Sequence, residues 1–306
     1  MDLFSKETSN GLDRLVLAPA ARRDAVLELM RSAERTLALS LFRCDDLSVV
    51  DALASAVNRG VQVRVLITQR ARGWKEKLKE LMALLRSLGA DVRPYESPVV
   101  KYHAKYIVAD DGPALVTSLN FTRKCFENTC DFLVFSKDRE VVDGLKALFE
   151  SDSQTSPASP IPQASSRLII GPEHSRQRLT QMLADAESSI QIIDHRVTDP
   201  GILDLLAKKK RQGVKVQVVG SNRIDGLICH GRMILLDEKT AVIGSIHLSS
   251  ASLDLRREVA IIIQEPDLVT ELYDYFRKLA DNEANLMDLW SRPLRPPTGE
   301  DDEEDE

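Results

Sequence analysis

Four cysteines are few for 306 residues, and Cys44, Cys125, Cys130 and Cys229 form no CxxC pair and no Cys/His spacing suited to zinc. That excludes a disulfide framework and a zinc module, and predicts reduced, buried thiols. No apolar run reaches membrane-spanning length, and "MDLFSKETSNGLDRL" lacks a basic segment followed by an apolar core. A secretory leader is therefore not expected, and the expected location is cytoplasmic. Excess positive charge is also missing. The net charge is -6, and Glu300–Glu306 contributes seven negative charges, which leaves the remaining chain at +1. Such a body argues against bulk affinity for nucleic acid, although a local basic groove is still compatible with it. The acidic run reads as a solvated, disordered tail. What is present is an ordinary composition, 43% hydrophobic and 29% charged, enough for one large domain or two of moderate size.

The chain repeats itself. "SAERTLALSLF" (Ser32–Phe42) resembles "DAESSIQIIDH" (Asp185–His195), and "NRGVQVRVL" (Asn58–Leu66) resembles "RQGVKVQVV" (Arg211–Val219). Ala33 to Ala186 and Gly60 to Gly213 are both steps of 153 positions. Each pair reads as a helix end running into a strand. Further on the step falls to 127, so the first copy holds 26 more residues between its halves. They include Trp74–Val92, an amphipathic helix closed at Gly89 before a short strand. "SDSQTSPASPIPQAS" (Ser151–Ser165) reads as a linker. The expected organisation is a first repeat over 1–150, a linker over 151–166, a second repeat over 167–290 and the acidic tail over 291–306. The alternation of strand and helix predicts an α/β fold: two α/β/α units, each a mixed, mostly parallel sheet flanked by helices, related by a pseudo-twofold axis.

"KYHAKYIVADD" (Lys101–Asp111) reads as a strand with the apolar run Tyr106–Ala109. Residues two apart on a strand share a face, so His103 and Lys105 are expected to project together. Taken alone, such a triplet is equally well a strand end meeting water. It has a partner, however, in "ICHGRMILLDEKTAVIGS" (Ile228–Ser245). A step of 127 links His103 to His230, Lys105 to Arg232, Asp110 to Asp237, Ser118 to Ser245, Asn120 to His247 and Asp131 to Glu258. Buried polar groups without partners cost roughly 1–3 kcal/mol each. Their retention in both copies points to a function.

On these residues the sequence resembles the phospholipase D superfamily, whose hallmark is H-x-K-x4-D, twice, each followed by G-S-x-N. The first copy is His103, Lys105 and Asp110 with "TSLNFT"; the second is His230, Arg232 and Asp237 with "GSIHLSS". The resemblance covers roughly Leu15 to Asn282. It implies a metal-independent phosphodiesterase or phosphatidyltransferase, working through a phosphohistidine without cofactor. The chemistry agrees. Phosphodiester cleavage needs a nucleophile, a proton for the leaving alkoxide and cations around the phosphoryl oxygens. Two histidines divide the first two tasks, and Lys105 and Arg232 supply the cations. The resemblance places Ser118, Asn120, Ser245 and His247 with the phosphate. It makes Asp131 and Glu258 the acids that orient the imidazoles, each 28 residues after the histidine of its own repeat. Asp110 and Asp237 are expected to brace the site from behind.

Three departures stand out: Arg232 for lysine, His247 for asparagine and Thr117 for glycine. The first copy is the more complete, so His103 is the expected nucleophile and His230 the acid. If Arg232 is only a stand-in, Arg232→Lys should preserve or raise activity. Trp74 among Arg70, Arg72 and Lys75 suits either transient contact with a membrane surface or a nucleic-acid backbone or, more simply, a solvated helix start with its aromatic packed down. His174 and His195 match no motif, although His195 ends a repeat strand. A phospholipid is the favoured substrate. A nucleic-acid phosphodiester and a non-catalytic phosphate-binding module remain the alternatives, and two motifs in one chain mean that a monomer suffices.

Overall fold

The computed structural model describes residues 11–154, 165–221, 223–224 and 226–290; the acidic tail and positions 155–164 of the Ser/Pro-rich segment lie outside the described residues. The first half runs β1 (Asp13–Val16), α1 (Pro19–Ser32), β2 (Thr36–Leu41), α2 (Leu47–Asn58), β3 (Gln62–Ile67), α3 (Lys75–Ser87), β4 (Asp91–Pro94), β5 (Lys101–Tyr102), β6 (Tyr106–Ala109), β7 (Ala114–Thr117), α4 (Arg123–Asn128), β8 (Thr129–Cys130), β9 (Leu133–Ser136) and α5 (Arg139–Asp152). The second runs β10 (Leu168–Gly171), α6 (Ser175–Asp185), β11 (Ser189–Ile193), α7 (Pro200–Arg211), β12 (Lys215–Val219), β13 (Arg223–Ile224), β14 (Leu227–Cys229), β15 (Arg232–Leu236), β16 (Thr240–Gly244), α8 (Ser250–Leu255), β17 (Arg256–Ile263) and α9 (Pro266–Ala280).

The repeat is visible in how these elements end. After α2 and after α7 the chain turns through Gly60 and Gly213 at φ +85° and +91° and enters β3 and β12. That left-handed backbone suits glycine, so the matched glycines close matched helices. The additional helix of the first half is α3, with Leu78, Leu81 and Leu85 buried on one face, and Gly89 follows it as expected.

The first sheet has the order β1-β9-β7-β6-β2-β3-β4, and the second β10-β17-β16-β15-β11-β12. The mixed α/β architecture is as expected, but the mixture leans the other way. Only β2/β3, β3/β4 and β11/β12 pair in parallel within these orders; the other pairings are antiparallel. The reason is local. Helix–strand units build each parallel edge, whereas the motif strand returns through a tight turn, and a tight turn can only make an antiparallel neighbour. One apolar cluster lies between the sheets and joins Tyr106, Val116 and Phe132 to Met233, Ile243 and Ile261. Burying side chains of this size stabilises by about 1.5–3 kcal/mol each, so the two halves share a core. Among the described residues, no helix is long and apolar enough to cross a membrane.

Candidate active site

The stretch read as a single strand is two strands. β5 pairs in parallel with β17 of the other half, in the register Lys101↔Arg256 and Tyr102↔Arg257, while β6 belongs to its own sheet. His103–Lys105 is the crossing between them. The second half does the same: β14 pairs in parallel with β8, in the register Ile228↔Thr129 and Cys229↔Cys130, before β15 returns to its own sheet. Each motif therefore lends a short strand to the opposite half.

This exchange decides which acid meets which histidine. Extending the first register by one position sets His103 beside Glu258; extending the second sets His230 beside Asp131. His103 Nδ1 lies 2.5 Å from Glu258 Oε1, and the His103 backbone N–H donates to Arg257 O at 2.9 Å. His230 Nδ1 lies 2.9 Å and 3.0 Å from the two Asp131 oxygens. The orienting acids are thus the two residues expected, but swapped between repeats. The 28-residue spacing to the histidine of the same repeat reflects the duplication, not the contact.

Both imidazoles are nearly closed off from solvent, His103 at 2% and His230 at 7% exposure. Their acids differ. Asp131 also accepts from Ser118 Oγ at 2.6 Å and Thr129 Oγ1 at 2.5 Å. Burial alone would push its carboxyl up, but the His230 ring, the nearby Arg22 and the Ser118 hydroxyl hold it well below the usual range. Glu258 accepts from Ser252 Oγ as well as facing His103. Here burial prevails over Arg256, Ser252, Lys105 and Arg232, and the carboxyl is pushed up to about 7.

Both motif cations are buried and act on the Glu258 carboxyl. Lys105 is buried, its Nζ 2.8 Å from His103 O and 5.0 Å over the Phe42 ring, which also meets the His103 ring edge-on at 4.6 Å. Arg232 Nε donates to His247 Nε2 at 2.9 Å, and its Nη1 lies 3.4 Å from Ser118 O of the first half. Asn120 Nδ2 is 3.3 Å from His230 Nε2, and Asn120 Oδ1, fully enclosed, has no hydrogen-bond partner among the described residues.

Four assignments change. Ser118 donates to Asp131 and accepts from Phe132 N at 3.0 Å; Ser245 lies 3.4 Å from Val259 O and accepts from Val259 N at 3.1 Å. The one proton each hydroxyl could offer a phosphoryl oxygen is already committed, so both serines position strands and acids. Asp110 and Asp237 do not brace the site. They turn the chain at φ 49° and 55°, a conformation aspartate tolerates. Their carboxylates cap the N–H groups of Glu34, Arg35 and Thr36, and of Glu187, Ser188 and Ser189. That is roughly 16 Å of extended strand from the motif cation.

Sequence reasoning missed Arg22, Thr129, Asp194 and Ser252. Arg22 is fully buried and donates to Thr129 O at 2.6 Å and to Asp131 O and Leu17 O at 2.8 Å, fixing the segment that carries Asp131. Asp194 accepts from Leu248 N at 2.9 Å and lies 2.6 Å from His247 Nδ1; His195 meets the His247 ring edge-on at 5.1 Å. The one available signal was the repeat itself, because a step of 153 sets Asp194 and His195 against the apolar pair Leu41 and Phe42. Among the described residues, two clusters bring three ligand-type atoms within 4.8 Å: Cys125, Asp131 and His230, and Asp194, His195 and His247. In both the carboxylate is engaged by an imidazole, and in the second the Arg232 guanidinium bonds the same His247. These donor sets suit hydrogen bonds better than a cation.

The four cysteines are free and buried, and burial pushes the Cys44 and Cys125 thiols up to about 12 and about 11. Trp74 is packed down, with Arg43 at 5.6 Å and Lys77 at 4.6 Å over its ring.

Comparison with known proteins bears on the family and the fold. The family described as "Cardiolipin synthase, PLD-like domain" matches residues 26–153 and 220–280. A phospholipase D of Rickettsia prowazekii is 26% identical over 141 residues, 46% of this chain and 66% of that protein. The solved polyphosphate kinase of Porphyromonas gingivalis superposes with a TM-score of 0.73 at 19% identity, covering 92% of this chain and 51% of the other. The phosphatidylserine synthase of Haemophilus influenzae superposes with a TM-score of 0.72 at 11% identity, covering 91% and 88%. At such identities the superpositions speak to the fold.

Proposed function

The chain belongs to the phospholipase D superfamily, and on that premise we propose that it hydrolyses or transfers the head group of a phospholipid through a phosphohistidine, without a metal ion. The supporting observation is the pair of exchanged histidine–carboxylate contacts, His103 with Glu258 and His230 with Asp131. A carboxylate on Nδ1 keeps the proton there and leaves Nε2 for chemistry.

His103 Nε2 attacks phosphorus. The bond to the leaving alkoxide breaks, and His230, supported by the ionised Asp131, gives that oxygen its proton. Water or an alcohol then attacks the phosphohistidine; His230 takes the proton back, and the P–N bond breaks to restore His103. Lys105, Arg232 and Asn120 face the charge that develops on the phosphoryl oxygens. We assign residues 1–150 and 167–290 to the two halves of this site, so one chain suffices. The relative named as a phospholipase D favours a phospholipid over other diesters.

Acid quench followed by mass spectrometry should find a phosphoryl or phosphatidyl adduct on His103. Parallel assays on phosphatidylcholine, phosphatidylglycerol, cardiolipin and single-stranded DNA, with chelator, should show turnover of a lipid. An adduct on His230 reverses the roles, turnover of DNA alone replaces the substrate class, and full turnover by His103→Ala removes the mechanism.

A further inference from the structure

The departures of the second motif are not independent. Arg232 donates from Nε to His247 Nε2 at 2.9 Å, with Nη2 close to the same nitrogen. His247 Nδ1 faces Asp194 Oδ1 at 2.6 Å, and the His247 backbone N–H is held by Ser252 Oγ at 2.8 Å. Asp194 is fixed in turn by the backbone N–H groups of Leu248 and Arg196, both at 2.9 Å. Arg232, His247 and Asp194 are each nine-tenths or more buried. The residues one repeat earlier are Lys105, Asn120 and Leu41. All three positions thus differ between the repeats, and in the second repeat the three residues bond to one another in a line. Unrelated losses from a decaying motif would not assemble in this way.

We propose that Asp194 and His247 are positioning residues that aim the Arg232 guanidinium at the phosphoryl group of the substrate. The inference rests on reading this centre as a phosphodiester site. Arg232 Nε also lies 3.4 Å from His247 Nδ1, so the guanidinium lies against both ring nitrogens; its shorter contacts are to Nε2, and a guanidinium has no acceptor, so Nε2 is taken as the acceptor. The single ring proton then sits on Nδ1, donated to Asp194, and the ring is neutral. Asp194 accepts that proton at Oδ1 while its Oδ2 holds the Leu248 N–H. Locked through Nε and Nη2, Arg232 presents Nη1 toward Ser118 O of the opposite half, beside the hydroxyl that holds Asp131. A lysine at 232 has a single donor atom and cannot both hold His247 Nε2 and present a second nitrogen toward Ser118 O. The expectation that Arg232→Lys is harmless is therefore reversed.

The full chain is titrated with inorganic phosphate by calorimetry, and the state of His247 is read from two-bond proton–nitrogen spectra. The unmodified chain should bind phosphate and show a neutral His247 protonated on Nδ1. Asp194→Asn, His247→Leu and Arg232→Lys should each weaken phosphate binding about tenfold or more. His247→Gln, whose amide accepts from Arg232 and donates to Asp194, should stay within about threefold of the unmodified chain. Thermal unfolding of each variant identifies any that fails to fold. The relay is overturned by a His247 protonated on Nε2, by folded Asp194→Asn and His247→Leu variants that bind phosphate normally, or by a folded His247→Gln as weak as His247→Leu. Failure to cleave any diester while phosphate binding follows this pattern would refute the catalytic reading and leave the relay standing.

Discussion

Glu258→Gln should change the pH dependence of folding. Glu258 is fully buried between the His103 ring and the Ser252 hydroxyl, and burial pushes its carboxyl from the ordinary 4.5 to about 7. A carboxyl whose folded pKa is raised binds its proton more tightly in the folded chain. Its contribution to stability is then complete below pH 4.5 and is lost as pH rises through 7. A rise of this size corresponds to about 3 kcal/mol, since each unit is worth about 1.4 kcal/mol. Glutamine keeps the volume and an oxygen for His103 Nδ1–H, and the Ser252 hydroxyl can turn to accept from the new amide. Because glutamine does not titrate, the variant escapes the loss. Urea unfolding from pH 4.5 to 8.5, extrapolated to water, should give near-equal stabilities at the acid end. Near pH 8 the variant should be ahead by about 3 kcal/mol. A difference that stays flat across this range, or one that grows against the variant with rising pH, would refute the argument. In the unmodified enzyme the rate should climb with pH through about 7 as Glu258 ionises and fixes the proton on His103 Nδ1. The variant should be slow and lack that limb.

The opposite sign applies to Asp131, whose carboxyl is held low. Its contribution is present above the unfolded carboxylate range and is lost on acidification, so Asp131→Asn should cost about 1–3 kcal/mol at pH 7 by urea unfolding and less toward pH 3. Lys105→Ala should lower the rate by on the order of 10²–10³ while leaving the lipid affinity less affected, as kcat and KM would show. Asp237→Ala should remove about 1–2 kcal/mol of stability with kcat unchanged, because its carboxylate caps the N–H groups of Glu187, Ser188 and Ser189 and meets no reacting group. Chelator should leave activity unchanged in a direct assay.

The sequence by itself determined the duplication, the α/β alternation and the candidates for the reacting groups. Motif spacing within one strand or turn is a local property, and chemistry-bearing side chains in a buried strand are conspicuous wherever they fall. Tertiary structure decided what those groups bond. Asp131 and Glu258 were legible as acids, but their pairing was not, because it depends on β5 and β14 crossing to the opposite half, and strand pairing across a chain leaves no trace in local periodicity. For the same reason the motif aspartates Asp110 and Asp237 read as braces behind the site and are turn caps; a carboxylate that accepts three backbone N–H groups and one that supports an active site are the same letter in a sequence. Arg232 and His247 read as separate defects until Asp194, 38 residues before the one and 53 before the other, was seen to join them in a single line of hydrogen bonds. Hydrogen bonds act over about 3 Å, and only the folded chain brings such distant residues that close.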